Sequence, residues 1–279
     1  MENQMLQRIN YIVMIVGAGG TGGNFAKEFA RYAAFYNKDG CGIRTVLIDG
    51  DTVEEKNQDR QPYITEDIQQ NKSVALTAAI QETFRLKDFY AYPHYIDDGK
   101  DLEHIYNNFK DNCSPDIFIP VVIGCVDNHR ARQCMHAFFE AQPTIFYFDS
   151  ANEFSVGEIV LAAKVSQQIL APDRCHYFPD VLTDTSKSAS ELSCGSVNIS
   201  APQHLAINLM AANLLLCSTV LLLSDGMIKG GIIYFDKNQL FSRFRAYEPT
   251  EKREDSKTAT EEPKQAGLAT KAACFLNET

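Results

Sequence analysis

Apolar runs and amphipathic stretches alternate along the first half of the chain. YIVMIV at 11–16 is an unbroken apolar run ending in glycines, the pattern of a strand buried on both faces. Residues 24–36 place Phe25, Phe29 and Tyr32 at helical spacing and predict a helix with one apolar side. IRTVLID at 43–49 reads as a second strand and 67–85 as a second helix. FYAYPHY at 89–95 reads as an edge strand, because Pro93 cannot donate to a central ladder. A short helix at 100–110, a strand IFIPVVIG at 117–124, a helix at 128–142 and a strand TIFYFD at 144–149 complete the series. Interleaved strands and helices predict an α/β, doubly wound, mostly parallel Rossmann-like sheet. Ligands of such sheets bind beyond the carboxyl ends of the strands, here the Gly17 turn, Asp49 and Asp127.

The pattern changes after residue 150. GEIVLAA at 157–163 predicts a strand, 165–198 an irregular region, 200–224 an apolar helix, and 230–247 a hairpin. From Glu248 the chain is polar and low in complexity, which predicts a solvated, disordered tail over 248–279. The expected organisation is one domain over 1–247, with a nucleotide-binding half at 1–150 and a partner-binding or dimerisation half at 151–247.

Composition narrows the functional classes. The 279 residues carry a formal net charge of −10, and an acidic chain without a basic tract is poorly suited to hold a nucleic-acid backbone. The apolar run near the start is too short for a signal peptide and leads straight into glycines. LMAANLLLCSTVLLL, Leu209 to Leu223, is shorter than the roughly 20 residues a bilayer requires, which predicts a core or subunit-interface helix and no membrane span. The eight cysteines form no Cys-x-x-Cys pair, so they read as reduced thiols of a cytoplasmic protein, and no four-cysteine zinc site is expected.

Gly17-Ala-Gly-Gly-Thr-Gly22 fits G-x-G-x-x-G between a predicted strand and a predicted helix. Such a turn lets a phosphate approach the backbone closely, and the helix N-terminus offers free N–H groups to it. By itself the motif fits NAD, FAD or a purely structural turn. The next segment changes the reading. DGDTVEEKNQDRQPYITEDIQQNKS, Asp49 to Ser73, sets Asp51, Asn57, Arg60, Gln61 and Lys72 beyond the second strand. A dinucleotide's pyrophosphate is served by the helix N-terminus alone. A triphosphate under attack at its α-phosphate builds charge on the departing phosphates, and fixed cations lower that barrier. Asp127 in Cys125-Val-Asp-Asn-His suits a Mg²⁺ ion shared with phosphates, although Asp127 and Asn128 could equally cap the following helix.

Together GAGGTG, DGDTVEEKNQDRQ, Lys72 and CVDN resemble the ThiF/MoeB family of ubiquitin-activating-like adenylyltransferases and, among bacterial members, the ThiF-type proteins of PRTRC gene clusters. The likeness is clear over about 12–130 and continues weakly to about 220 through GEIVLA and PQHLAIN. It implies an ATP and Mg²⁺ site: Gly17, Gly19, Gly20 and Gly22 shape the turn, Asp49 holds the ribose, Asn57, Arg60, Gln61 and Lys72 contact phosphates, and Asp127 positions the ion. It also implies the substrate, the C-terminal glycine carboxylate of a ubiquitin-like or sulfur-carrier protein, and a dimeric enzyme with a possible conjugating or peptidase partner downstream.

Three departures from the family pattern matter. Only about ten residues precede the first strand, so Arg8 is too close to it to reach a partner subunit's site. The paired zinc cysteines are missing; Cys175-His-Tyr-Phe-Pro sits near one half of that position, and no zinc is predicted. Cys194, in ELSCGSVNISAPQ, occupies roughly the place of the family's reactive cysteine and is the first candidate for a thioester, with Cys175 second. Cys125, Cys134 and Cys217 are expected in the core, and His129, His136 and His204 lack ligand spacing and read as structural. Three other readings stay open at this point: a non-catalytic half of a heterodimer, an NAD-dependent oxidoreductase, and adenylation of a small-molecule or RNA-linked carboxylate.

Overall fold

The first strand, β1 (Ile9–Val16), is buried on both sides, as its unbroken apolar run requires. In the computed structural model, which describes residues 8–36, 42–110, 116–185 and 204–249, Tyr11, Val13 and Ile15 enter one core, and Ile12, Met14 and Val16 enter another. Around it lie β2 (Ile43–Ile48), β3 (Phe89–Tyr92), β4 (Ile117–Gly124) and β5 (Ile145–Asn152). These five strands are parallel, in the order β3-β2-β1-β4-β5. The expected edge strand is therefore an edge, and the order reverses between β1 and β4, where open α/β sheets form their ligand crevice.

Beyond β5 the sheet changes character. β6 (Val156–Val165) runs antiparallel to β5, and β7 (Gln168–Ala171), β8 (Gly231–Asp236) and β9 (Phe241–Ala246) extend it by antiparallel pairing. The parallel part of the sheet thus carries the glycine turn. β8 and β9 form the expected hairpin.

Helices cover both faces. α1 (Gly20–Tyr36) and α2 (Lys72–Phe84) pack on the first core through Phe25, Phe29, Leu76 and Ile80. α3 (Gly99–Phe109) and α4 (His129–Ala141) close the second core through Leu102, Ile105, Met135 and Phe138. Each fully buried side chain of this size contributes about 1.5–3 kcal/mol relative to exposure.

Several expectations are corrected. The second helix does not begin at 67 but at Lys72: Gln69 has a φ of 71°, and Asn71 caps the helix by accepting a hydrogen bond from Val74 N. The region from 165 is not irregular as far as it is described. Ser166 and Gln167, with φ of 48° and 70°, make the two-residue turn into β7, and α5 (Arg174–Tyr177) and α6 (Asp180–Thr183) follow. That turn type usually carries Asn-Gly, so its sequence signal is missing here.

The last helix, α7 (Leu205–Asp225), spans 21 residues, is started by the His204 side chain accepting from Ala206 N, and stops at Gly226 in the left-handed conformation. Its end lies within one residue of the expected 224, and the expected start at 200 lies outside the described residues. Among the described residues it is the one helix long and apolar enough to cross a membrane by length and composition. Here Ile207, Ala211, Leu215 and Leu222 pack into the first core beside α1. The tail beyond 249 lies outside the described residues.

Candidate nucleotide site

The glycine turn joins β1 to α1 at the carboxyl edge of the sheet. Gly17 adopts a φ of +96°, which a side chain would strain, and a Cβ there would stand 2.6 Å from Cys125 O. A Cβ on Gly22 would stand 1.9 Å from Gly17 O, so the turn closes only with glycine at that position. Gly20 is similarly tight, against Asn208 Nδ2 at 2.0 Å. Gly19 differs: the nearest atom to a Cβ there is Gln61 Nε2 at 4.0 Å. Its glycine leaves room that the protein itself does not use.

The segment after β2 folds back over this turn. The Arg60 carbonyl lies 3.4 Å from the Cβ position of Gly20, the Gln61 amide faces Gly19, and Pro62 packs on Gly23. Tyr63 Oη donates to Ala18 O at 2.7 Å and also meets Lys72 O at 3.3 Å. Four consecutive residues, 60 to 63, thus roof the turn. A 3-10 turn, Glu55–Asn57, precedes them, and buried Asn57 fixes it by accepting from Glu54 N through Oδ1 at 3.1 Å. Gln61 Oε1 is buried without a partner among the described residues. A buried amide oxygen of this kind costs about 1–3 kcal/mol unless something pairs with it.

The acidic pair is divided in role. Asp49 accepts from Ala18 N at 2.6 Å and from Asp51 N at 2.8 Å, so both its oxygens brace the turn. Burial pushes its carboxyl above the ordinary range against the pull of Lys72. Asp51 is more open and pairs with Lys72 Nζ at 2.9 Å; Tyr95 Oη donates to its other oxygen. Burial would raise the Asp51 carboxyl, but the Lys72 charge and the Tyr95 hydrogen bond outweigh it and hold it low. Lys72 itself is buried at the start of α2. The Arg60 guanidinium is held by Lys56 O at 3.1 Å and by Asp59 at 3.2 Å, on the exposed side of the same loop.

Across the crevice, Asp127 is exposed just past β4. Asn128 caps α4 by accepting from Ala131 N at 2.8 Å, so the capping reading holds for it. The structure therefore brings Gly17, Gly19, Gly20, Gly22, Asp49, Asp51, Asn57, Gln61 and Lys72 to one wall, with Arg60 on the rim and Asp127 at the neighbouring strand end.

Other site residues were not among the candidates read from the sequence. Thr21 Oγ1 donates to Asn152 Oδ1 at 3.0 Å, and Asn152 Nδ2 donates to Asn208 Oδ1 at 2.9 Å, which joins the starts of α1 and α7 to the end of β5. Arg132 and Arg174 converge on buried Asp149, with Arg174 Nε at 2.7 Å and Arg132 Nε at 3.5 Å from Oδ2. Arg132 also donates to Val126 O at 2.8 Å, and so holds the segment that carries Asp127.

The cysteine expectations divide. Cys134 is in the core as expected, and burial pushes its thiol up to about 11. Cys125 is half-buried beside Gly17 with its thiol pushed far up by burial. Cys217 is exposed on α7, which corrects its core placement. Cys175 is buried beside His136, a poor position for an acyl acceptor. Cys194 lies outside the described residues. His204 is structural, as the cap of α7, and His129 Nδ1 lies 2.8 Å from Asp184 Oδ2.

Fold and turn together define a Rossmann-like nucleotide-binding domain. The chain belongs to the ThiF family, whose model matches residues 2–255. Among solved structures it is similar to PaaA, at 17% identity and a TM-score of 0.58, over 85% of this chain and 64% of PaaA. It is also similar to E. coli MccB in its structure with ATP, at 16% identity and a TM-score of 0.55, over 86% of this chain and 64% of MccB. E. coli MccB with AMPCPP and MccA gives 15% identity and a TM-score of 0.55, over 85% of this chain and 64% of the other. These likenesses show a shared fold, and the chain spans just under two thirds of each of those proteins. A search of curated proteins finds no match.

Proposed function

We propose that the protein is an ATP-dependent adenylyltransferase that activates the C-terminal carboxylate of a small ubiquitin-like or sulfur-carrier protein, or of a peptide. The observation that carries this reading is the roof of residues 60–63 over the glycine turn, with the partnerless Gln61 Oε1 and the open space at Gly19 beneath it. Family membership agrees with it, and E. coli MccB, similar in fold, has been crystallised with ATP and with MccA.

In this reading the phosphates lie at Gly19 and the α1 N-terminus, and Gln61, Asn57 and Lys72 line the wall beside them. Lys72 exchanges Asp51 for phosphate oxygens, and Arg60 swings from Asp59 to the departing pyrophosphate. Asp127 would hold Mg²⁺, which would neutralise phosphate charge. Asp49 braces the turn, and Asp51 beside it is the more accessible acid for a ribose hydroxyl. The substrate carboxylate oxygen bonds to the α-phosphorus, the bond to the bridging oxygen breaks, and pyrophosphate leaves. The acyl group then passes to the Cys194 thiol as a thioester, releasing AMP. We further propose a homodimer that meets through the exposed leucines at the start of α7, Leu205 and Leu209.

Exchange of labelled pyrophosphate into ATP, driven by carrier proteins and peptides with free C-termini, tests this reading. Arg60→Ala should lower exchange by about 10²–10³-fold, the scale of one lost transition-state contact. Its stability should fall by less than about 1 kcal/mol, since the Asp59 pair is a surface one. Cys194→Ser should keep exchange and eliminate the thioester. Full exchange in Arg60→Ala would remove the phosphate-clamp role.

A further inference from the structure

The nucleotide reading leaves one cluster of chemically able side chains unused. His136 projects from α4, while Asp173 and Cys175 flank Arg174 at the start of α5. One donor atom from each lies within 4.8 Å of the other two. His136 Nδ1 is 2.6 Å from Asp173 Oδ2. Asp173 and Cys175 are 3% and 6% exposed, whereas the His136 side chain is 24% exposed.

We propose that His136, Asp173 and Cys175 form a three-ligand zinc site with water in the fourth position. The donors are one nitrogen, one oxygen and one sulfur. Calcium and magnesium take oxygen ligands, whereas a thiolate with an imidazole selects zinc or a similar transition metal. Zinc binds N, O and S at about 2.0–2.3 Å, so a tetrahedral site needs donor separations of about 3.3–3.8 Å. The side chains reach that spacing by opening the His136–Asp173 contact and drawing Cys175 inward. Two sides of the cluster are sealed and the histidine side opens to solvent, which supplies the entry path and the water ligand.

The ion's place in the fold gives it a task. His136 is eight residues into α4 from its Asn128 cap, about 12 Å along the helix from the nucleotide crevice at a rise of ~1.5 Å per residue. That distance separates the ion from phosphate chemistry. It instead ties α4 to the turn whose middle residue, Arg174, reaches Asp149 Oδ2 at 2.7 Å and Glu158 Oε1 at 2.8 Å. No ligand spacing is legible in the sequence because the histidine stands 37 residues from its carboxylate partner. This inference departs from the expectation of no zinc and stands independently of the adenylation reading.

Cobalt titration of the full-length, chelator-treated protein tests it. One Co²⁺ per chain should bind with a thiolate-to-cobalt charge-transfer band, and Zn²⁺ should displace it. Cys175→Ser should lose the band. His136→Asn, checked by its far-ultraviolet spectrum to be folded, should weaken Co²⁺ binding by at least about tenfold and abolish the rise in melting temperature that Zn²⁺ gives the parent protein. A parent protein that binds no stoichiometric metal, a band that persists in Cys175→Ser, or unchanged affinity in His136→Asn would overturn the proposal.

Discussion

Gly19 and Gly22 stand three residues apart in one motif, yet they are glycine for different reasons. At Gly22 a methyl group would meet Gly17 O at 1.9 Å, so the constraint is the protein's own. At Gly19 nothing lies nearer than the Gln61 amide at 4.0 Å and φ is not positive, so the protein's own packing does not demand glycine there, and the proposed reading assigns that space to a phosphate. Gly19→Ala should therefore fold normally, even gaining about 0.4–1 kcal/mol from a stiffer unfolded chain, and yet lose MgATP binding. Gly22→Ala should lower the melting temperature as well as binding. Melting curves of both variants with and without MgATP check this; equal binding in Gly19→Ala and the parent would mean that the space at Gly19 is not the phosphate position. The motif's glycines were legible in the sequence, but not this division, which depends on what each Cα faces. The same holds for Asp49. Its place at a strand end could be read directly, while its two hydrogen bonds to Ala18 N and Asp51 N could not. The bonds of Tyr63 and Asn208 could not be read because their partners, Ala18 and Thr21, lie 45 and 187 residues away.

At the scale of elements, strands with unbroken apolar runs were legible and short turns were not. β4 matches its expected bounds, since eight consecutive residues with a largely buried pattern admit one reading. The second helix was expected five residues too early, because acidic and polar residues at 67–71 fit a helix by propensity while Asn71 makes the cap. β7, α5 and α6 were missed because each has only four residues and the turn at Ser166–Gln167 lacks glycine. α7 holds the clearest element-scale prediction. Its inner face fills the first core, whereas Leu205 and Leu209 on its outer surface are 41% and 39% exposed. Glutamate at both Leu205 and Leu209 should convert a dimer to a monomer in light scattering, with little change in the far-ultraviolet spectrum. A dimer unchanged by both charges would assign the subunit contact to another surface.

At the scale of the whole molecule, the parallel half of the sheet makes the crevice, and the antiparallel half carries the apparatus around it. Asn152 at the end of β5 and Asn208 in α7 bond to Thr21 and to one another, so the second half of the domain helps to hold the start of α1. This explains why the nucleotide half could be read by itself from the sequence whereas the support from residues 145–225 could not. The division of the sheet also separates the two readings of the glycine turn. A dinucleotide would use the helix N-terminus and leave the roof of residues 60–63 idle; a triphosphate occupies both. Calorimetric titration of the purified protein with MgATP, and separately with NAD, tests this most directly. MgATP should bind one per chain, its binding should weaken strongly when a chelator removes magnesium or when Lys72 is changed to alanine, and NAD should produce no heat of binding. Saturable binding of NAD with none of MgATP would contradict the triphosphate reading.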